Sequence, residues 1–262
     1  MGRGILSPER IVLLRQEMAL VVCQQLHFLG LNSEPVGEQE GLFQLMKCLF
    51  DADRKRYLAS LRLIAKLCSL QTLMLDPAIV RFVGVLGLEL PVMQARPVFH
   101  VMSHALMFED GYFGFGVHQD WPALQSSLDM VTAWVPFVDV HRDLFPLEVI
   151  PGSHVHGLLP GKAEDHILEV DPAQYCSADF VAVEANQGDV VFMSAFTLHR
   201  SGRQGFPDSM RLAASCRYEN ALEKHFVAHA FPFCQHTVVN RALLFDNFPT
   251  AQQVAEACNK PL

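Results

Sequence analysis

The chain has 262 residues, half of them hydrophobic, and carries a formal net charge of −8 at pH 7. This is ample for one domain with a large core, and the acidic balance argues against a nucleic-acid-binding surface, which would show a basic stripe. No apolar run approaches the roughly 18 residues that a membrane span needs, and the first residues lack the apolar stretch of a secretory signal. The seven cysteines show neither paired nor zinc-binding spacing, which suits reduced thiols. We therefore expect a cytoplasmic protein that binds neither nucleic acid nor membrane; the oligomeric state is not indicated.

The first third of the chain is predicted to be mainly helical. Ser7 and Pro8 are typical of a helix start, and apolar residues then recur at helical spacing. Further helices are predicted over residues 39–50, 52–74 and 77–87. Residues 1–94 should form an outer layer that packs against the remainder of the chain.

From Pro97 onward the pattern changes to short runs rich in Val, Phe, Thr and Trp, separated by Gly, Pro and Asp. Such a pattern is typical of the many short strands of a barrel or jelly roll. The best strand candidates are residues 98–108, 130–138, 190–194 and 212–218. The sequence thus predicts one mainly β domain over residues 1–262, with its strands in 95–220 and a C-terminal extension, 221–262, that includes a short helix from Thr250.

Three residues of the strand-rich part are candidate metal ligands. His118 and Asp120 are two positions apart, and in an extended strand such residues point to the same face. His199, on a distant strand, would supply the third ligand. Two histidines and one carboxylate on one face of an octahedron leave three positions open, as in non-haem Fe(II) oxygenases. Taken singly, each has an ordinary interpretation, because His-x-Asp is common and buried histidines are more often hydrogen-bonded core residues.

Arg211 follows the third candidate ligand and could bind a carboxylate. Its planar guanidinium offers two parallel charge-assisted hydrogen bonds to such a group. A 2-oxo diacid such as 2-oxoglutarate would reach both the metal and this arginine. Alone, Arg211 could also be an ion-pairing residue at the start of a strand.

Five landmarks follow one another in the strand-rich part before Arg211. They are His118-Gln119-Asp120, Thr132-Ala133-Trp134-Val135-Pro136, Val149-Ile150-Pro151-Gly152-Ser153-His154, Gln187-Gly188-Asp189-Val190-Val191-Phe192 and His199-Arg200-Ser201-Gly202. In this order they resemble the phytanoyl-CoA dioxygenase (PhyH-like) family of Fe(II)/2-oxoglutarate-dependent oxygenases. The resemblance covers roughly residues 95–220 and implies a double-stranded β-helix core, a cupin-like jelly roll.

The resemblance also implies the residues of the site. It assigns Fe(II) to His118, Asp120 and His199, and the distal carboxylate of 2-oxoglutarate to Arg211. Further cosubstrate contacts are implied for Gln119, Trp134 and Ser201, and for one residue between Phe99 and Leu106, either Met102 or His104. Strict strand alternation would turn Gln119 away from the metal, so its contact requires a strand end or a local twist.

Two segments are predicted to shape the substrate pocket. Residues 109–117 contain three glycines and three aromatic residues, as expected of a mobile loop that closes over an organic molecule. Within it, Tyr112 and Phe115 are the candidate substrate contacts. Residues 157–182 lack a clear strand pattern and are interpreted as a surface insertion near the mouth of the site or, alternatively, as a plain connecting loop.

The implied reaction is hydroxylation of an unactivated C–H bond of a small organic substrate, which consumes O2 and 2-oxoglutarate and releases succinate and CO2. No catalytic residue beyond the metal ligands is predicted. The carboxylate at Asp120 favours hydroxylation over halogenation, because halogenating relatives carry a small residue there. Desaturation, cyclisation or epimerisation with the same cosubstrate stays open. The rival from another class is a non-oxidative cupin-like metal-binding protein, which would have no need of Arg211.

Overall fold

The structure, a computed structural model, describes residues 1–93, 96–108, 113–164 and 167–231. Its helices are α1 (Pro8–Phe28), α2 (Gln39–Ala52), α3 (Arg54–Ile64), α4 (Cys68–Met74), α5 (Pro77–Val85), α6 (Trp121–Leu124) and α7 (Lys224–Ala228). Its strands are β1 (Pro91–Met93), β2 (Val98–Met102), β3 (Val131–Pro136), β4 (Leu147–Val149), β5 (Gly161–Glu164), β6 (Ile167–Val170), β7 (Val181–Val183), β8 (Val191–Ser194), β9 (His199–Ser201) and β10 (Arg211–Asn220). The helix predicted from Thr250 lies outside the described residues.

Strand β10 is the centre of a five-stranded antiparallel sheet. Along one edge it pairs with β2 and then β1, and along the other it pairs with β3, which pairs in turn with β8. Because successive side chains of a strand point to opposite faces, alternate residues of β10 divide between two surroundings. The outward set is Leu212, Ala214, Cys216 and Tyr218, and the inward set is Arg211, Ala213, Ser215 and Arg217.

The N-terminal helices cover the outward face of this sheet. Apolar side chains from α1 to α5 form one continuous core with outward-facing side chains of β3 and β10. Arg15 of α1 ties the layer to the strands, since its Nε donates to the Gly37 carbonyl over 2.9 Å and its Nη1 donates to the Phe137 carbonyl and the Gln187 amide oxygen. The helices α1 to α5 thus pack against the first sheet.

The region predicted as one helix over 52–74 is two helices. Asp53 lies between α2 and α3 with extended backbone, and its carboxylate accepts the Arg56 backbone N–H over 3.0 Å, which caps α3. Helix α3 ends at Ile64, and α4 begins at Cys68.

The segment Cys68–Val85 differs from the expectation that no stretch resembles a membrane span. By length and composition alone it would suffice, with a mean hydropathy of 1.2 over 18 residues. In the structure it is divided into α4 and α5, of 7 and 9 residues, and the Asp76 carboxylate caps α5 by accepting the Ala78 N–H over 2.8 Å. At about 1.5 Å per residue, neither helix reaches the roughly 30 Å of a hydrocarbon core.

A second sheet faces the inward side of the first. Its strands β7, β4 and β9 are antiparallel, and His118 forms single bridges to both His199 of β9 and Glu169 of β6. The pair β5–β6 is an antiparallel hairpin. Residues 157–182 therefore contain the hairpin β5–β6 and the first residues of β7, so the interpretation as a plain connecting loop was wrong, and the surface insertion near the mouth of the site stays a prediction. The two facing antiparallel sheets with helical additions confirm the predicted double-stranded β-helix.

The strand predicted over 98–108 is shorter. Strand β2 ends at Met102, where the Ser103 hydroxyl accepts the Ala105 backbone N–H over 3.3 Å and starts a 3-10 turn, His104–Leu106. This local hydrogen bond competes with continued pairing, so the chain leaves the sheet there.

Candidate metal centre

His118 and His199 face each other across an antiparallel bridge of the second sheet. The His118 N–H donates to the His199 carbonyl over 3.0 Å, and the reverse bond spans 3.1 Å. Residues directly opposite in such a pair present their side chains on the same face, and the two imidazole centroids lie 4.1 Å apart. The fold thus brings together the two predicted histidine ligands.

Each imidazole is held by a contact with the backbone carbonyl of the residue two positions earlier. His118 Nδ1 lies 2.8 Å from the Gly116 carbonyl oxygen, and His199 Nδ1 lies 2.9 Å from that of Thr197. In a neutral imidazole, the nitrogen that donates to a carbonyl leaves the other nitrogen as an acceptor. In both rings Nε2 is therefore the atom available to a metal.

Asp120 completes the group by a route other than the predicted strand. Its backbone is in the helical region, with φ −72° and ψ −31°, at the start of α6, and its N–H donates to the Ala195 carbonyl over 2.9 Å. The chain thus turns out of the sheet directly after His118. The carboxylate nevertheless returns to the histidines, with Oδ1 3.8 Å from His118 Nε2 and 3.9 Å from His199 Nε2.

The three donor atoms fit a small divalent ion. One atom from each of the three residues lies within 4.8 Å of the others, and each residue is buried. Neighbouring ligands of an octahedral ion with bonds of about 2.1 Å are on the order of 3 Å apart, so small movements would close the set. Two imidazole nitrogens and one carboxylate oxygen form the donor set of a non-haem iron site with open positions.

Charges around the site favour the deprotonated ligands that a metal requires. Burial alone would raise the pKa of Asp120, but Arg217 and the two imidazoles outweigh it and hold this pKa well below its usual range. Burial, and then the neighbouring His199, lower the pKa of His118 to about 3. At neutral pH the site thus presents a carboxylate at Asp120 and a neutral imidazole at His118.

Arg217 and Thr132 hold the Asp120 carboxylate, and neither was among the predicted site residues. The Arg217 guanidinium donates from Nη2 to Oδ1 over 2.9 Å and from Nε to Oδ2 over 3.2 Å, and the Thr132 hydroxyl donates to Oδ2 over 2.6 Å. The sequence did carry a signal for Arg217. It lies an even number of residues after Arg211 on the same strand, so both arginines face the same side.

A cleft lies between the two sheets, next to these ligands. Side chains of both sheets line it: His100, Phe115, His118, Trp134, Leu147, Met193, His199, Arg200, Ser201, Arg211, Ser215 and Arg217. The structure therefore places the predicted anchor Arg211, the predicted contacts Trp134 and Ser201, and the candidate substrate residue Phe115 in one cleft with the histidines.

Arg211, the first residue of β10, is held in place by its neighbours. It is 3% exposed, its Nε donates to the Phe145 carbonyl over 3.0 Å, and its guanidinium carbon lies 5.6 Å from the Trp134 ring centre. The Ser201 hydroxyl accepts the Phe115 N–H over 3.1 Å. The contacts of Arg211 with Phe145 and Trp134 hold its guanidinium at the wall of the cleft, where it could bind a carboxylate.

Gln119 does not line the cleft, which corrects the predicted cosubstrate contact. Its amide nitrogen donates to the carbonyls of Gly157 and Phe196, each over 2.8 Å, and its amide oxygen accepts the Leu159 N–H over 2.9 Å. With 2% of its surface exposed, Gln119 joins these loop segments through its amide. All three of these hydrogen bonds go to backbone groups of neighbouring loops.

Of the upstream residues, His100 lines the cleft, whereas neither Met102 nor His104 is among its lining residues. Met102 shares the inward face of β2 with His100, but its methyl end lies against Gly114, 3.0 Å from where a Cβ would stand. His104 lies beyond the end of β2 and stacks on Phe113 at 5.1 Å between ring centres. Tyr112, the other candidate substrate contact, lies outside the described residues, as do residues 109–111 of the same predicted loop.

Three solved structures are similar to part of this chain. The non-heme monooxygenase ThoJ in its apo form is 20% identical, covers 58% of this chain and 55% of its own, and has a TM-score of 0.44. The epimerase SnoN in complex with Fe3+, alpha ketoglutarate and nogalamycin RO is 21% identical over 67% of this chain and 75% of its own, with a TM-score of 0.48. EvdO2 from Micromonospora carbonacea var. aurantiaca, complexed with 2-oxoglutarate, is 17% identical over 58% of this chain and 63% of its own, with a TM-score of 0.44. This chain thus spans just over half the length of ThoJ, and all three TM-scores are below 0.5.

Sequence comparison is more specific. No curated protein sequence matches the chain. The sequence model described as phytanoyl-CoA dioxygenase (PhyH) matches residues 69–205, just over half of the chain, and this range contains His118, Asp120 and His199. The chain therefore belongs to the phytanoyl-CoA dioxygenase (PhyH) family of Fe(II)/2-oxoglutarate-dependent oxygenases.

Proposed function

We propose that this protein is an Fe(II)/2-oxoglutarate-dependent dioxygenase that hydroxylates an unactivated C–H bond of a small organic substrate. The observation that carries the proposal is the cluster of His118, Asp120 and His199 beside a cleft that both histidines and Arg211 line. A metal-binding protein without a cosubstrate would not need a buried arginine in the same cleft. Iron and 2-oxoglutarate, when bound, would supply the oxidising chemistry, with O2 as the second cosubstrate and succinate and CO2 as products.

The three candidate ligands and Arg211 have separate roles in this proposal. His118 and His199 would offer Nε2, and Asp120 would offer Oδ1, so that three positions around the ion stay free for other ligands. Arg211 would bind the distal carboxylate of 2-oxoglutarate through two charge-assisted hydrogen bonds. The chain's own groups thus bind and orient, and no acid or base beyond the metal ligands is required.

The walls of the cleft suit an oxidation that must exclude water. Phe115, Trp134, Leu147 and Met193 contribute apolar surface around the ligand atoms. A dry cavity strengthens the contacts of Arg211 and limits side reactions. The carboxylate at Asp120 favours hydroxylation over halogenation, because a halide would need that ligand position.

The test is an anaerobic titration of the purified apo-protein with Fe(II) and 2-oxoglutarate, followed by visible spectroscopy. A weak metal-to-ligand charge-transfer band is expected in wild type and should be lost or weakened in Arg211→Ala. The exposed Arg142→Ala is the matched control, since Arg142 reaches Glu184 only at 3.9 Å and its side chain is 75% exposed. Bound iron without a band in wild type would instead favour a non-oxidative metal protein.

Product analysis then separates the possible outcomes of the oxidation. We expect succinate release in step with a product heavier by one oxygen atom. A product lighter by two hydrogens would indicate desaturation or ring formation, and a product of unchanged mass would indicate epimerisation.

A further inference from the structure

Arg217 binds the Asp120 carboxylate through two nitrogens of its guanidinium. Nη2 contacts Oδ1 at 2.9 Å, and Nε contacts Oδ2 at 3.2 Å. This is the side-by-side fork that arginine forms with carboxylates and that lysine cannot reproduce. The pair is buried, with side chains 14% and 6% exposed.

The guanidinium is itself held in place. Its Nη1 donates to the Ser215 hydroxyl over 2.8 Å, and the same hydroxyl lies 2.8 Å from Nε2 of His100. Ser215 and Arg217 both face inward from β10, and His100 faces inward from the neighbouring β2. The orientation of the arginine therefore follows from the register of two paired strands.

The two carboxylate oxygens of Asp120 have different surroundings. Oδ2 accepts from the Thr132 hydroxyl at 2.6 Å as well as from Arg217 Nε. Oδ1 is the oxygen within 4 Å of both histidine Nε2 atoms. Oδ2 thus accepts two hydrogen bonds, whereas Oδ1 accepts one, from Arg217 Nη2, and is the oxygen nearest to the candidate metal position.

We propose that Arg217, with Thr132, is a positioning residue that makes Asp120 a one-oxygen ligand of the metal. A carboxylate without these partners can rotate and bind an ion through both oxygens, which would occupy one of the positions that cosubstrate and O2 need. Hydrogen-bond partners of metal ligands orient them and tune the metal in this way. This inference rests on the proposed function for its metal site, but concerns a residue beyond the 69–205 family match.

The test compares four variants for Mn(II) binding by electron paramagnetic resonance, in the presence of 2-oxoglutarate. Arg217→Lys keeps the charge and loses the fork, Arg217→Met loses both, and Thr132→Val removes only the bond to Oδ2. Arg142→Lys makes the conservative change at an exposed arginine. The folded fraction of each variant is measured by circular dichroism, so that affinity is expressed per folded molecule.

The expected result is a graded loss of Mn(II) affinity. Losing an outer partner of a ligand commonly costs about 10- to 100-fold, so Arg217→Met should be near the upper value, Arg217→Lys and Thr132→Val lower, and Arg142→Lys unchanged. The Fe(II)–2-oxoglutarate band should also shift in wavelength in Arg217→Lys, because the geometry at iron changes. A purely structural arginine would lower thermal stability and leave both readouts unchanged.

Three outcomes are distinguished. Unchanged Mn(II) affinity and band position in Arg217→Lys and Thr132→Val would overturn the positioning role. Tighter Mn(II) binding in the arginine variants would also overturn it, since Arg217 would then be a competitor of the metal. Failure of wild type to bind Mn(II) would instead contradict the proposed function, before any variant is compared.

Discussion

The outward and inward faces of β10 are almost equally buried, yet they meet different surroundings. Leu212 and Tyr218 point outward, are at most 1% exposed and pack among the apolar side chains of the helical layer. Arg211 and Ser215 point inward, are 3% exposed, and line the cleft with the candidate ligands. Burial alone therefore does not separate a structural position from a functional one. The partners of the side chain distinguish the two kinds of position. Substitutions on the inward face should therefore affect the site, and substitutions on the outward face should affect stability.

The largest effect is expected at Asp120. Asp120→Ala removes a metal ligand and also leaves the Arg217 guanidinium without its buried carboxylate, which is costly for a buried charge. Turnover, measured as succinate release, should fall by more than about a hundredfold, since even an outer partner of a ligand can cost that much. Full turnover in this variant would remove Asp120 from the site.

The outward counterpart is Leu212→Ala. Deleting a buried leucine side chain beneath the helical layer should lower the free energy of unfolding by roughly 2–5 kcal/mol, measured by urea denaturation. Mn(II) affinity of the folded fraction should not change, because the side chain faces away from the cleft. A tenfold loss of affinity would show that the two faces of β10 are coupled.

Arg211→Lys sharpens the same comparison within the inward face. The charge stays, but the two parallel hydrogen bonds to a carboxylate do not. We expect the KM for 2-oxoglutarate to rise about tenfold, equivalent to about 1.4 kcal/mol, with kcat at saturating cosubstrate much less affected. Steady-state kinetics with varied 2-oxoglutarate measures both, and an unchanged KM would place the carboxylate anchor elsewhere.

The smallest effect is expected from pH acting on His100. Burial, and then Arg211 and Arg217, lower its pKa well below the usual 6.5. The unfolded chain then takes up a proton below about pH 6.5 that the folded chain refuses, so stability falls as the pH decreases through that value. In metal-free protein, the loss of urea stability between pH 7.5 and pH 5.5 should be smaller in His100→Gln than in wild type. Equal losses would mean that His100 is not kept neutral.

The sequence predicted the inward face only where the pattern was local. Alternation along β10 is readable from the residues, and the order of motifs pointed to His118, Asp120, His199 and Arg211. The sequence could not show that Asp120 starts a helix, because that depends on the bond from its N–H to the Ala195 carbonyl on a distant segment. Asp120 does lie in the cluster, as predicted, although the prediction assumed a strand that its backbone does not form.

Residues assigned by analogy of position were less secure. Gln119 is next to two ligands in sequence, but its amide binds the backbone of loops that only the folded chain brings near. The hairpin β5–β6 was missed because the residues of β5 show weak strand propensity, and pairing with β6 outweighs that preference. Arg217 was missed because nothing local indicates which carboxylate it will meet.

The imidazoles of His118 and His199, each anchored through Nδ1 to a backbone carbonyl, have a consequence for metal selection. Two nitrogens and one oxygen that are assembled before any ion arrives will accept whichever first-row ion is offered, and such sites bind nickel, copper and zinc more tightly than iron. Affinity alone would therefore not select iron, and the ion bound would depend on which ions the folded protein meets. Purified material is expected to carry inert zinc or nickel, and treatment with a chelator followed by anaerobic Fe(II) should increase its specific activity.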